Sequence, residues 1–286
     1  MRPDCVTGRL PGPNALTTLA TLFAFLILAA LAWRLWLLRR HASHVASHRD
    51  RVPPDFAALV PLEAHQKAAD YTRAKVRIAA IEALALDGAL LAALSVGGGL
   101  AALDAWSHAA FGEGHLRELG TVFAFLAVGA LAALPFDAWR TFGVEARFGF
   151  NQTTPGLWLS DLAKSTFLGA LIGLPLAAAI LWLMASAGSL WWLWAWALWT
   201  GFNLLMVWAY PAFIAPFFNK FEPLGDEDLA ARVKALMQRC GFTAKGFFVM
   251  DGSRRSAHAN AYFTGFGASK RVVFFDTLLR QLAPAE

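Results

Sequence analysis

Charge and cysteine are both in short supply in this sequence of 286 residues. Asp, Glu, Lys and Arg make up 16% of it, against about 25% in a typical soluble domain. What replaces them is apolar: 57% of the chain, with 23 Phe and 12 Trp and a mean hydropathy of +0.47. An ordinary water-soluble globule is excluded, because so much apolar surface needs lipid as its solvent. The two cysteines, Cys5 and Cys240, exclude a disulfide scaffold and cannot by themselves complete a tetrahedral zinc site. A contiguous basic stripe is also missing. The net charge of +5 comes from Lys and Arg set beside apolar segments, so nucleic acid is not an expected partner.

Five apolar stretches meet or approach the roughly 20 residues that a bilayer core requires: Ala15 to Leu38, Ile78 to Leu103, Leu119 to Phe142, Ser165 to Ser186 and Leu190 to Phe213. The first is too long for a signal-peptide core and runs into Arg39 and Arg40 rather than a cleavage site, so it reads as a retained span. Lys and Arg alternate by connector: two before the first span, eight from Arg39 to Arg77, Arg117 alone, then Arg140, Arg147 and Lys164, none around Gly188, and ten from Lys220 to Arg280. The positive-inside rule predicts the N-terminus outside and the C-terminal domain in the cytoplasm. Cytoplasmic loops are expected over 39–77 and 143–164, within a five-span region of residues 1–215.

Asp87 falls deep inside the second span, where a carboxylate costs about 2.5–3.5 kcal/mol on the insertion scale. It must face protein or water, which leaves open a polar intramembrane cavity and an internally satisfied packing contact. Gly169 and Gly173 form a small-residue face for close helix approach, and Gly97 to Gly99 weaken any helix through them. Trp191, Trp192 and Trp194 suit an interfacial aromatic belt. His41, His44 and His48 imitate a zinc helix, but Val45, Ala46 and Ser47 supply no glutamate as proton acceptor, so a solvated juxtamembrane segment is expected there.

From Phe217 the pattern becomes that of an α+β fold. Asp226 to Asp228 open a helix whose Leu229, Val233, Leu236, Met237 and Cys240 share a face, and Gly241 ends it. Phe247 to Met250 and Val272 to Phe275 are continuous apolar runs, as in strands covered on both faces. Between them His258, Asn260, Tyr262 and Thr264 alternate with Ala259, Ala261, Phe263 and Gly265, which predicts a half-exposed edge strand. Such an edge either captures an extended peptide or closes a hairpin through a Gly265 to Ser269 turn.

Two segments then carry a resemblance. Val144-Glu145-Ala146-Arg147-Phe148-Gly149-Phe150-Asn151-Gln152-Thr153-Thr154, continuing to Ser160-Asp161-Leu162-Ala163-Lys164, and Asp251-Gly252-Ser253-Arg254-Arg255-Ser256-Ala257-His258-Ala259-Asn260-Ala261-Tyr262-Phe263, followed by Lys270 to Leu278, resemble the CAAX prenyl protease type 1 family. These are integral-membrane zinc metalloproteases that cleave C-terminal tripeptides from prenylated proteins. The resemblance implies an α-helical multi-span membrane protein with a cytoplasmic α+β metalloprotease domain, incomplete here and covering 216–286. It assigns substrate alignment to Asn260, Ala261, Tyr262 and Phe263, with His258 beside them. Expected partners are a peptide or prenylated C-terminus, the bilayer and a missing C-terminal half.

In that family an H-E-x-x-H helix and a downstream glutamate bind the zinc. This sequence contains no H-E-x-x-H, and Pro284 to Glu286 resemble a helix start. The chain is therefore expected to be the N-terminal part of such a protease, through truncation, a split gene or degeneration. Alone it is expected to hold no catalytic residue and no zinc. Two other readings are a catalytically dead membrane module that binds hydrophobic or lipidated C-termini, and a transporter-like channel lined by Asp87.

Overall fold

The computed structural model describes residues 13–265 and 270–282. Cys5, most of the expected turn after Gly265, and Pro284 to Glu286 lie outside the described residues. The chain divides into two compact units, residues 1–144 and 145–286. Five helical runs among the described residues are long and apolar enough to cross a membrane: Ala20–Ser47, Leu62–Ser95, His115–Phe148, Pro155–Ser186 and Gly188–Phe218. At about 1.5 Å per residue each exceeds a bilayer core of about 30 Å, so helix continues into stretches that hydropathy alone leaves as connectors.

The first unit contains α1 (Pro13–Ser47), α2 (Leu62–Glu82), α3 (Leu91–Ser95), α4 (Gly99–Phe111) and α5 (His115–Ala138). A wide π-helical stretch, Ala83–Leu90, joins α2 to α3 and carries Asp87. Its carboxylate pairs with Arg34 of α1. Glu82, just before that stretch, takes a second guanidinium, Arg140, at 2.6 Å. Arg49 then makes a two-pronged contact with Asp70, 2.9 and 2.8 Å, tying the end of α1 to α2. The span expected over Ile78 to Leu103 is not one helix. Helix stops at Ser95, Gly98 takes φ +81°, which L side chains rarely adopt, and α4 starts afresh at Gly99. The second span instead begins earlier, at Leu62.

The second unit starts with a short α6 (Ala146–Phe148), followed by α7 (Pro155–Ser186), α8 (Trp191–Ala209) and α9 (Ala215–Phe218). Thr154 caps α7 by accepting the Leu157 amide at 3.2 Å, with Pro155 in the first turn, where its missing N–H costs nothing. A π-helical stretch, Tyr210–Ile214, separates α8 from α9 around Pro211, which has no N–H to continue the regular ladder.

The tail then forms a small mixed sheet of β1 (Phe221–Pro223), β2 (Gly246–Met250), β3 (Ala261–Thr264) and β4 (Arg271–Phe275), in the order β1-β2-β4-β3. The β2–β4 pair is parallel and the outer pairs are antiparallel. Val272 and Val273, successive residues of central β4, are both buried, which explains the unbroken apolar run. The rings of Phe263 and Phe242 meet on one face, 5.0 Å apart; Tyr262, Phe248 and Val273 share the other with Tyr210 and Pro216. Helix α10 (Glu227–Arg239) is capped by Asp226, which accepts the Leu229 amide at 2.9 Å, and ends before Gly241 at φ +67°. Its buried stripe is narrower than expected. Met237 is buried and Leu229 and Val233 half-buried, whereas Leu236 and Cys240 are exposed, because a four-residue step of about 400° keeps closer to one face than a three-residue step.

Candidate functional site: an open sheet edge on a clamped loop

The two segments that carry the family resemblance meet in the second unit. Asn151 forms an antiparallel bridge with Ser256, and the Ala257 amide donates to the Phe150 carbonyl at 2.9 Å. The Arg255 carbonyl accepts from the Gln152 amide at 3.1 Å and the Thr153 hydroxyl at 3.0 Å. The Arg255 guanidinium grips Asp161 through two bonds of 2.7 and 2.9 Å, and donates to the Asn219 side chain and the Phe218 carbonyl. One residue thus fastens the loop before β3 to the start of α7 and the end of α9.

Downstream of this clamp, Ser253 donates its amide to Asp276 at 2.8 Å, and its hydroxyl bonds the other carboxylate oxygen, which also accepts from Arg280. Burial alone would push the Asp276 carboxyl up. The Ser253 and Arg280 contacts prevail and hold it below its usual range. Thr277, buried, donates to the His258 carbonyl at 2.8 Å. The backbone that enters β3 is therefore fixed on both sides.

The residues expected to align substrate occupy this strand and its approach. His258 is half-buried, its Nε2 3.2 Å from Glu145 and its ring stacked on Phe150 at 4.1 Å. Asn260 and Ala261 are exposed, and Phe263 is 62% exposed. Tyr262 points to the other face, where its ring meets Phe275 edge-on; burial, with a contribution from Tyr210, pushes its phenol up from the ordinary value.

Pairing parity tells which backbone groups are open. The Phe275 amide donates to the Asn260 carbonyl at 2.9 Å, making residues 260 and 275 a hydrogen-bonded pair. Because such pairs alternate along an antiparallel ladder, Tyr262 and Thr264 turn their N–H and C=O toward β4. Ala261 and Phe263, opposite Phe274 and Val272, turn theirs away from the sheet. β3 is the last strand in the order among the described residues, so those groups face an unpaired edge.

Asp87, expected at an intramembrane cavity, is engaged by Arg34 in the first unit. The roles of Arg255, Asp161, Glu145 and Phe150 were not assigned by the sequence pattern. Arg255 and Asp161 stand 94 residues apart, and no local periodicity relates them.

The zinc implied by the resemblance does not fit the side chains described. A catalytic zinc takes three protein ligands plus an open position. His258 and Glu145 offer one nitrogen and one carboxylate, bonded to each other, and no three His, Cys, Asp or Glu among the described residues could hold a metal ion.

Five membrane-capable helices and a mixed sheet with an open edge define a multi-pass membrane protein with an α+β tail. Residues 41–220 match the model described as "CAAX prenyl protease N-terminal, five membrane helices", and residues 223–286 match "Peptidase family M48". The chain belongs to the CAAX prenyl protease family. It is 39% identical over 166 residues to the CAAX prenyl protease 1 homolog of Arabidopsis thaliana, covering 58% of this chain and 39% of that protein. The human CAAX prenyl protease 1 homolog is 35% identical over 176 residues, covering 61% of this chain and 37% of that protein. The crystal structure of S. mikatae Ste24p superposes with a TM-score of 0.82 at 27% identity, over 92% of this chain and 62% of that one. The matched region thus spans less than two-fifths of either curated relative.

Proposed function

We propose that this chain supplies the membrane region and the peptide-aligning strand of a zinc metalloendopeptidase of the CAAX prenyl protease type 1 kind, acting near the C-terminus of prenylated or other membrane-associated proteins. The observation that carries the reading is the outward backbone of Ala261 and Phe263 on a clamped edge strand. Capture by strand addition uses main-chain groups for affinity and alternate side-chain positions for selection, so it suits substrates of varied sequence. In this reading Asn260 and His258 flank the captured peptide at the start of the strand, and Tyr262 supports the strand from its inner face.

The N-terminus is assigned to the outside and the 216–286 domain to the cytoplasm, on the Lys and Arg bias of the connectors. Asp87 is assigned to a polar lining within the spans, with Arg34 as its counter-ion.

The 286 residues contain no H-E-x-x-H, so by themselves they are expected to bind peptides and to hydrolyse none. The purified chain in lipid nanodiscs, offered a farnesylated peptide with a free C-terminus, tests this: saturable binding without cleavage is expected. Stoichiometric zinc with chelator-sensitive cleavage would overturn the claim of inactivity, and absence of binding would overturn the alignment role. Binding without turnover in every cellular form of the protein would favour a dead binding module instead.

A further inference from the structure

The open edge of β3 is not uniform. Ala261 turns its amide outward, yet that amide already has an acceptor: the Asn260 side-chain Oδ1, at 2.9 Å. An N–H can only be met by the oxygen of the carboxamide, which fixes its orientation and leaves the Nδ2 group turned away from the strand backbone. The groups left open are therefore the Ala261 carbonyl and the amide and carbonyl of Phe263. None of them has a partner among the described residues.

We infer that Asn260 is a register stop for the peptide that the edge captures, a positioning role that rests on the function proposed above. An added strand pairs fully with Phe263, donating an amide to its carbonyl and accepting its N–H. Two residues along it can still donate to the Ala261 carbonyl, but its own carbonyl finds the Ala261 N–H occupied. The ladder ends there. The peptide carbonyl meets the Nδ2 group, which stands farther out than a backbone amide would, so the chain leaves the sheet plane at that residue. A strand that slides by two residues loses the full pairing at Phe263 and gains no equivalent at Ala261, which makes one register preferred. The argument holds for either direction of the added strand, because Ala261 N–H is the blocked group in both.

Isotope-edited infrared spectroscopy of a bound peptide reads this pairing directly. A farnesylated peptide is synthesised with a single 13C carbonyl at each position in turn and bound to the chain in nanodiscs. The carbonyl opposite Phe263 is expected at the frequency of a β-ladder, and the one facing Ala261 outside it. In Asn260→Ala the freed amide brings the second carbonyl to the ladder frequency. Asn260→Asp, which keeps an acceptor for the Ala261 N–H, retains the wild-type pattern. If both carbonyls already pair in the wild type, or if Asn260→Ala leaves the pattern unchanged, the stop is refuted while peptide capture stands. If no labelled peptide binds, capture itself fails and the stop with it.

Discussion

Asp161 and Arg255 meet in a two-pronged ion pair, 2.7 and 2.9 Å, across 94 residues of chain. Both side chains are only about a quarter exposed, at 23% and 24%. The guanidinium also holds Asn219 and Phe218, so its planar fork is used on both sides. The open strand is aimed by this junction rather than by its own short ladder.

Arg255→Ala should lower stability by about 2–4 kcal/mol, because it strips a charged network of its donor and leaves Asp161 poorly solvated. Arg255→Lys should recover little, since one ammonium cannot reproduce the fork. Thermal unfolding followed by intrinsic Trp fluorescence in detergent checks both. Equal stability of the Lys variant and wild type would mean that only charge matters there.

Proline distinguishes outward from inward backbone groups on β3. Phe263→Pro removes an amide that faces away from β4, so it should cost no more stability than Phe263→Ala while abolishing peptide binding. Tyr262→Pro removes an amide of the β3–β4 ladder together with a half-buried ring, a loss of about 2–4 kcal/mol. Equal destabilisation by the two prolines would refute the parity.

The Asp276 carboxyl sits below its ordinary value in the folded chain. A depressed folded value stabilises the fold above the unfolded value, about 3.9, and that contribution disappears as pH falls through the lower folded value. Stability measured from pH 7 down to pH 3 should therefore show an acid limb that is shallower in Asp276→Asn. Identical limbs would show that Ser253 and Arg280 do not favour the ionised form.

Within the first unit, Asp87→Leu strands the Arg34 guanidinium inside a span. On the insertion scale an unmatched charge costs about 2.5–3.5 kcal/mol. Because the two side chains are 46% and 44% exposed, a discounted loss of about 1–2 kcal/mol is expected. The double variant Arg34→Leu/Asp87→Leu should regain most of it. A double-mutant cycle in lipid gives the coupling, and additive losses would mean the two charges act independently.

Five membrane-capable helices, the capped helix from Asp226 to Gly241 and the alternating strand were legible because each depends on neighbours within a few residues. The ends of the spans were not: hydropathy marks where lipid is needed, whereas helix continues into polar surroundings, as from Leu62 to Ile78. The break at Gly98 could be suspected from three consecutive glycines, but its effect on the second span depends on a positive φ. The pairs Arg34–Asp87 and Asp161–Arg255 were hidden because charge complementarity across many residues leaves no periodic trace. Asn260 was readable as a polar strand residue. That its own side chain covers the next amide depends on a rotamer, which no spacing encodes.

Amide hydrogen exchange at single-residue resolution across β3, with and without a farnesylated peptide, bears most directly on the open edge. The amides of Tyr262 and Thr264 should be slow in both states and that of Phe263 fast alone but strongly slowed by the peptide. Unchanged exchange at Phe263 while the peptide is demonstrably bound would place capture elsewhere and contradict the account.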